Sequence, residues 1–384
     1  MKICSPHCGV SYESNSGGEV YERELLKRIV SMGHDLYLIL KDNKVYDKNI
    51  QWNVYKAKTY RNLPFDKYFS TLRYLPIIRD IYRKNNFDIL RAHSVRYIGP
   101  LCIWSRLAYK IKVPIVAHHH HLDKDILTSV LDKSVLHFVD RIITVSFFSK
   151  RQLQDELCIS GEKIEVVYCG VDEKYFSKEE NINIKETFGW KDKIVLMTLS
   201  SLTPRKNLSF LLDIFHWLYK SRKSLVLVIA GEGPLKPYLI EKSSKLGIQN
   251  SVYFTGYIPE SEKVKYINCA DIFLFTSGLE GFGLSVAEAM ACGKPVVVTN
   301  TSSLPEVIGN EECGFLCKNN DMNDFIQKIE ILLDNPLLRT QMGEMARKRI
   351  YNSFRWEKTA QNVCSIYEKL IRDYDSKKKH GYFL

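Results

Sequence analysis

The sequence predicts an α/β protein whose sheets are parallel. The first observation is a pair of apolar runs of strand length, Ile272–Phe275 and Pro295–Val298, on either side of a helical segment. Strand, loop, helix and strand in that order require a crossover, which brings the two strands side by side in parallel. The second is that the same unit opens the chain. A short strand ends near Cys4, Glu19–Ser31 reads as a helix ended by Gly33–His34, and Asp35–Leu40 is the next strand. The third is size: 384 residues at 45% hydrophobic content suffice for two such domains.

The stretch from Ile272 to Asn300 carries the chemistry. Its loop, Thr276–Gly283, holds Glu280 among Gly278, Gly281 and Gly283, and a helix starts near Ser285 with Glu288 in its first turn and Cys292–Gly293 closing it. Glycines let backbone N–H groups come close to a ligand, and a helix N-terminus favours negative charge. Carboxylates beside an anion site would repel phosphate, so their natural partners are hydroxyl groups. Glu280 and Glu288 are spaced E-x7-E inside EGFGLSVAEAMACGKPVV. Alone, that spacing would describe ordinary solvated acids; the flanking GFG, the small-residue helix and the GKPVV strand set it apart. The stretch resembles the donor-site signature of the family-4 glycosyltransferases, retaining sugar transferases of the GT-B fold. The resemblance implies two Rossmann-like domains facing a central cleft, with a C-terminal helix crossing back to the N-terminal domain.

Composition narrows the class further. Ten cysteines are scattered without a C-x2-C pair, which suits reduced thiols, and Cys4, His7 and Cys8 lack a second pair that would complete a metal site. No apolar run reaches the length of a membrane span and MKICSPH lacks a signal-peptide core, so a cytoplasmic protein is expected. The net charge of +11 is concentrated between Lys41 and Lys112, which hold 16 Lys and Arg against 5 Asp. Apolar residues are interleaved with those bases: Phe65, Phe69, Leu72, Leu75, Ile78 and Tyr82, then Trp104 and Leu107. An amphipathic basic surface on an anionic membrane is one reading, and a core-facing stripe with a solvated basic back is the other. Helix periodicity does not separate them; the concentration of charge favours peripheral contact with the inner face of the membrane.

In the N-terminal half, Ser16-Gly17-Gly18-Glu19 lies where the first loop meets the first helix. A plain turn explains a glycine pair by itself. Within SGGEVYERELLKRIVSMGHDL it resembles the family's opening, which implies that Gly17 and Gly18 offer N–H groups to the donor diphosphate. Asp88–Ala92 and Pro114–Ala117 read as strands leading to His93 and to the run His118–His121. Alternation places His118 and His120 on one side and His119 and His121 on the other, and metal binding by the run stays open. The resemblance implies one histidine near the donor sugar, holding a hydroxyl. His120 fits best by position, with His118 and His121 as the neighbours a register shift would select. Asp123-Lys124-Asp125 matches the metal triplet of a different glycosyltransferase fold, one that lacks E-x7-E. Arg141–Ser146 is a further strand, and Glu165–Asp172 matches the family's last strand of this domain with Cys169 where Asn is commoner.

In the C-terminal half, the strand Lys193–Ser200 leads into Ser201-Leu202-Thr203-Pro204-Arg205-Lys206-Asn207 and a helix. A cationic pair at a strand end suits a diphosphate. The family has Arg followed five residues later by Lys; Lys206 matches the Lys, Ser201 occupies the Arg position, and Arg205 would replace the missing cation. Gly231-Glu232-Gly233-Pro234 follows the strand Leu225–Ala230 but falls short of a dinucleotide fingerprint. It resembles the family's nucleotide-side loop, which implies roles for Gly231 and Gly233 and base contacts from Tyr257 and Ile258. By the same resemblance Glu288 takes ribose hydroxyls and Glu280 takes donor-sugar hydroxyls, with Gly281, Phe282, Gly283 and Leu284 offering N–H groups.

The expected layout is an N-terminal acceptor domain over 1–177, a linker over 178–192, a nucleotide-sugar domain over 193–353, and a crossover helix and tail over 354–384, with Lys377–His380 disordered. The expected reaction is metal-independent transfer of a sugar from a UDP- or GDP-sugar, a co-substrate rather than a cofactor, to a glycan or lipid-linked hydroxyl in surface polysaccharide or glycolipid assembly. A nucleotide-sugar epimerase of the same fold and a basic nucleic-acid-binding protein are the alternatives. Intact donor loops argue against the second, so nucleic acid is not an expected partner.

Overall fold

A computed structural model describes residues 1–11, 17–46, 50–58, 71–120, 126–176 and 184–379. Ser16, Phe65, Phe69, His121, the Asp123–Asp125 triplet, the first part of the expected linker and His380 lie outside them. The chain divides into two compact units, Met1–Gly170 with Trp356–Leu384, and Val171–Arg355. The first boundary falls after Gly170 rather than near residue 177. The expected linker includes a short helix, Ile184–Thr187, whose Lys185 Nζ meets Asp271 Oδ2 at 2.7 Å within the second unit.

The first unit is built on β1 (Lys2–Pro6), β2 (Asp35–Lys41), β3 (Asn53–Ala57), β4 (Ile89–Ala92), β5 (Ile115–His119), β6 (Arg141–Thr144) and β7 (Ile164–Val166). The second has β8 (Ile194–Leu199), β9 (Leu225–Ala230), β10 (Val252–Gly256), β11 (Ile272–Phe275), β12 (Val296–Thr299) and β13 (Phe315–Cys317). Their orders are β3-β2-β1-β4-β5-β6-β7 and β10-β9-β8-β11-β12-β13, and every pairing is parallel. Both are doubly wound Rossmann-like sheets. In each, strand order reverses beside the first strand, between β1 and β4 and between β8 and β11, where such sheets bind ligands at the strand C-termini. The central strands read as unbroken apolar runs because helices cover both their faces.

Several elements differ from expectation. The edge strand β3 is half exposed, so NVYKA has no apolar run to announce it. The strand β6 stops at Thr144, and Ser146 instead caps the helix Phe147–Leu157 by accepting the Ser149 N–H at 3.1 Å. The first helix begins at Gly17, so Gly17 and Gly18 form its exposed first turn. The expected disorder at Lys377–Lys379 is overturned: the last helix runs Trp356–Lys379, because its apolar positions keep docking along it as far as Tyr374.

That last helix packs on Gly17–Ser31, through Trp356 edge-on to Tyr21 at 5.7 Å and Arg28 Nε donating to Glu357 Oε1 at 3.0 Å. Deeper, Tyr367 is fully buried and joins a polar cluster at the centre of the unit. Tyr367→Phe deletes a hydroxyl that serves two buried partners, so we expect a loss of about 1–3 kcal/mol. A lowered urea midpoint checks this, and an unchanged midpoint contradicts it.

Candidate active site

In the second unit the switch point brings the loops after β8 and β11 together. Lys206 lies in a 3-10 turn, Pro204–Lys206, and its ammonium donates to Glu280 Oε1, which also accepts from Ser277 Oγ. Both members of the pair are buried, at 8% and 7% exposure. Burial pulls the Lys206 pKa below its ordinary value and Glu280 pulls it back up. Backbone bonds tie the loops further. Gly278 N–H donates to Arg205 O at 3.0 Å, Thr276 Oγ1 to Lys206 O at 3.0 Å, and Arg205 Nη1 to Leu279 O at 3.1 Å. Glu280 N–H donates to Ser302 Oγ at 2.9 Å, and Ser303 Oγ donates to Glu280 O at 3.0 Å. Glu280 is therefore fixed at its side chain, its amide and its carbonyl.

Gly283, at φ +99°, starts the helix Leu284–Ala291, whose leading N–H groups have no intrahelical acceptor. Phe282 turns inward against Phe354, 5.4 Å away, so only its backbone is placed to meet a ligand. Glu288 lies on that helix, 4% exposed. Lys263 Nζ is 3.5 Å from its Oε1 and 2.8 Å from Glu260 Oε2. Lys174 Nζ and Tyr175 OH each reach Glu260 Oε1 at 2.9 Å.

Gly231, at φ +129°, is demanded by packing: a Cβ there would fall 1.9 Å from Ser200 O, and one at Gly233 2.5 Å from Leu202 O. The Gly231 N–H already donates to Gly256 O at 2.8 Å, so this loop closes on its neighbours. Beyond β10, Tyr257 is half exposed while Ile258 is buried. A cavity of about 700 Å³ lies elsewhere, before β11 and β12, lined in part by Asp271, Lys294, Arg339 and Arg347. Arg347 there donates to Ala291 O and Cys292 O, and Arg339 to Leu332 O and Leu333 O, so both serve helix ends.

In the first unit, the C-terminal ends of β1, β4 and β5 converge on Glu22, which projects from the first helix. Its carboxylate receives Arg91 Nη2 at 2.9 Å and His7 Nε2 at 3.1 Å, and His120 Nε2 is 3.6 Å away. Burial would raise the Glu22 pKa, but Arg91, His120 and His7 together hold it well below the usual carboxylate range. His7 Nδ1 accepts the Gly9 N–H at 3.1 Å, so its proton sits on Nε2, facing Glu22. Its ring stacks on His93 at 3.6 Å, and His93 uses Nδ1 toward Pro6 O and Nε2 toward Cys8 N–H. The Tyr367 hydroxyl accepts from Arg91 Nε at 3.0 Å and meets His118 Nε2 at 2.6 Å, while His118 Nδ1 meets Tyr21 OH at 3.2 Å. His118 is enclosed; His120, edge-on to Tyr21 at 4.6 Å, keeps part of its side chain exposed.

Two family models match the chain: Glycosyltransferase Family 4 over residues 15–175 and Glycosyl transferases group 1 over residues 178–349. The chain belongs to glycosyltransferase family 4. Among its relatives, the N-acetyl-alpha-D-glucosaminyl L-malate synthase of Bacillus anthracis is 28% identical, with 94% of this chain and 96% of that one aligned. The alpha-monoglucosyldiacylglycerol synthase of Streptococcus pneumoniae is 27% identical, over 78% and 72%. Among solved structures, Alr3699/HepE of Anabaena in complex with UDP superposes with a TM-score of 0.80 at 17% identity, over 96% and 100% of the two chains. The sucrose-phosphate synthase of Thermosynechococcus elongatus reaches 0.83 at 19%, over 97% and 100%. These likenesses agree with the GT-B class of two Rossmann-like domains.

Within this family-4 chain the structure gathers Arg205, Lys206, Glu280, Gly281, Phe282, Gly283, Leu284 and Glu288 about one switch point, and Gly231 and Gly233 pack against the loop that carries Lys206. Sequence reasoning missed Glu260, Lys263, Lys174 and Tyr175 around Glu288, and Glu22, Arg91 and Tyr367 around His118 and His120. Two of these were detectable. Glu22 shares a helix face with Leu25, Leu26 and Ile29, and Arg91 interrupts a buried strand, and a charge in either place needs a partner.

The buried histidines make the first unit sensitive to acid. Burial leads the lowering of pKa at His7, His93 and His118, with Arg91 adding to it at His118 and His7 adding to it at His93. A depressed histidine is neutral when folded, so its contribution is complete above the unfolded value of 6.5 and is lost as pH falls. We expect urea midpoints to drop between about pH 7.5 and 5.5, each histidine contributing up to about 1.4 kcal/mol per pH unit. A midpoint constant over that interval would contradict the assignment of neutral rings.

Proposed function

We propose that this glycosyltransferase moves a sugar from a nucleotide-diphosphate sugar to a hydroxyl of a glycan or glycolipid, retaining anomeric configuration without a metal. The observation that carries the reading is the buried Lys206–Glu280 pair beside the start of the Leu284–Ala291 helix. Its transition state places positive charge on the sugar ring and negative charge on the departing diphosphate. Lys206 hydrogen-bonds only Glu280 among the described residues, and an ammonium has three donors, so it keeps donors for a phosphate oxygen. The leading amides of the helix supply the rest of the anion site, with Arg205 as a second cation. Glu280 is read as accepting sugar hydroxyls and Glu288 as accepting ribose hydroxyls. Gly231 and Gly233 set the wall beside the nucleotide, and Tyr257 and Ile258 meet its base. In the N-terminal unit, His120 is read as holding a donor-sugar hydroxyl, and Gly17 and Gly18 as offering amides to the diphosphate.

The chemistry balances without a protein nucleophile. The bond from the anomeric carbon to the diphosphate oxygen breaks, the acceptor oxygen bonds on the same face, and the acceptor's proton passes to the departing phosphate. A relative named for diacylglycerol glycosylation and another named for malate glycosylation support the wider class of hydroxyl acceptors. A thermal-shift screen of UDP- and GDP-sugars tests the donor, and NMR of the product tests retention. We expect Lys206→Ala to lower kcat by about 100- to 1000-fold and Glu288→Gln to weaken nucleotide binding. Wild-type behaviour of both variants would refute the donor site.

A membrane contact is the second proposal for this reading. On the helix Tyr74–Asn85 the apolar face is core, with Tyr74, Ile78 and Ile81 buried, so that stripe is not the contact. On Gly99–Tyr109, Trp104 and Leu107 are 52% and 70% exposed, and Arg106 ties this helix to the carbonyl of exposed Phe138 at 2.8 Å. Among the described residues no helix is long and apolar enough to cross a membrane. Exposed apolar residues within a basic region suit the surface of an anionic bilayer. We expect co-sedimentation with phosphatidylglycerol vesicles that falls on double substitution of Trp104 and Leu107 by Ser. Equal sedimentation of that variant would remove the proposal.

A further inference from the structure

The acid at Glu288 does not stand alone. Lys263 opens the helix Lys263–Cys269, is 5% exposed, and lies between two carboxylates: Glu260 at 2.8 Å and Glu288 at 3.5 Å. Glu260 has a second cation in Lys174 and a hydroxyl donor in Tyr175, each at 2.9 Å. Lys174, Glu260, Lys263 and Glu288 thus form a chain of alternating charge that is neutral in sum. Glu260 is balanced by Lys174, which leaves the charge of Lys263 for Glu288.

We infer that Lys263 is a positioning residue for sugar transfer, keeping Glu288 an acceptor-only carboxylate at the place where it would receive the two ribose hydroxyls. The inference rests on the reading of Glu288 as the ribose acid. A buried carboxyl without a counter-ion takes up a proton, and a protonated carboxyl turns one oxygen into a donor and loses acceptor capacity. A diol presents two O–H donors, which an ionised carboxylate matches with two oxygens. The 3.5 Å separation is longer than a good hydrogen bond, so Lys263 acts on Glu288 chiefly through its charge, while the Tyr175 hydroxyl also donates toward the Glu288 carboxylate.

Among the described residues, the main titratable neighbours of Glu288 are Lys263, Glu260, Tyr175, Lys174 and Cys292. Burial raises the Glu288 pKa most; Lys263 opposes that rise, Glu260 adds to it, and Tyr175 and Lys174 oppose it. The Cys292 thiol, one turn on, is pushed up to about 12 by burial and is neutral. Removing Lys263 raises Glu288 further, whereas removing the charge of Glu260 lowers it.

The test is calorimetric titration of UDP and, in parallel, GDP between about pH 6 and 9, on the whole chain. Lys263→Met is expected to weaken binding about tenfold at neutral pH and to recover at alkaline pH, where Glu288 ionises again. Lys263→Arg should restore neutral-pH affinity. Glu288→Gln should bind weakly at every pH, and adding Lys263→Met to it should change nothing more. Glu260→Gln guards against a Lys263→Met protein that does not fold: it should extend tight binding to lower pH. PH-independent weakening by Lys263→Met, an additive double variant, or loss in Glu260→Gln would make Lys263 structural only and overturn the inference. Native affinity in Glu288→Gln, or no binding of either nucleotide to the native chain, would instead overturn the ribose assignment beneath it.

Discussion

The contact between Lys206 and Glu280 is what the C-terminal unit's site depends on. It joins two loops 74 residues apart in sequence, at the point where strand order reverses. Neither charge would be stable where it lies without the other, since a lone buried ion costs several kcal/mol that only a partner offsets. The bonds from Arg205, Thr276 and Ser277 across the same gap keep the pair in register. A leaving diphosphate would meet a cation already fixed in position, so little reorganisation remains for the reaction itself.

The N-terminal unit solves the same problem differently. There one carboxylate, Glu22, answers to Arg91, His7 and His120, and the phenol of Tyr367 links Arg91 to His118. His7, His93 and His118 stay neutral, and the permanent charges at the centre of the cluster are the Glu22 anion and the Arg91 cation. Low dielectric strengthens every bond within it and makes any unpaired member costly. His118 is locked by two phenols, whereas His120 keeps an exposed edge. This difference, more than strand alternation, separates the enclosed ring from the one that can reach a ligand.

How much was legible depended on how local the cause was. The strands β9, β11 and β12 are short apolar runs between glycine or polar breaks, and they fall where the sequence placed them to within a residue. Glu280 and Glu288 were readable because the motif is contiguous. Lys263 was not, since its meaning lies in Glu260 and Glu288, which reach it from other elements and the latter from 25 residues away. The edge strand β3 and the helix Phe147–Leu157 escaped notice because each is half polar and is stabilised by a neighbour or a cap rather than by its own pattern. Gly231 was readable as a loop glycine, but the packing that demands it, the Ser200 carbonyl that forbids anything larger, lies on another strand end and was not.

The N-terminal unit draws its last helix from beyond Arg355, so it is discontinuous in sequence. During synthesis its sheet emerges early, yet the phenol that joins Arg91 to His118 leaves the ribosome only after the whole second unit has been made. At ordinary elongation rates that delay is about ten to forty seconds. Through that interval Arg91 and His118 lack the phenol that joins them, and the order of translation sets when the first unit can be completed.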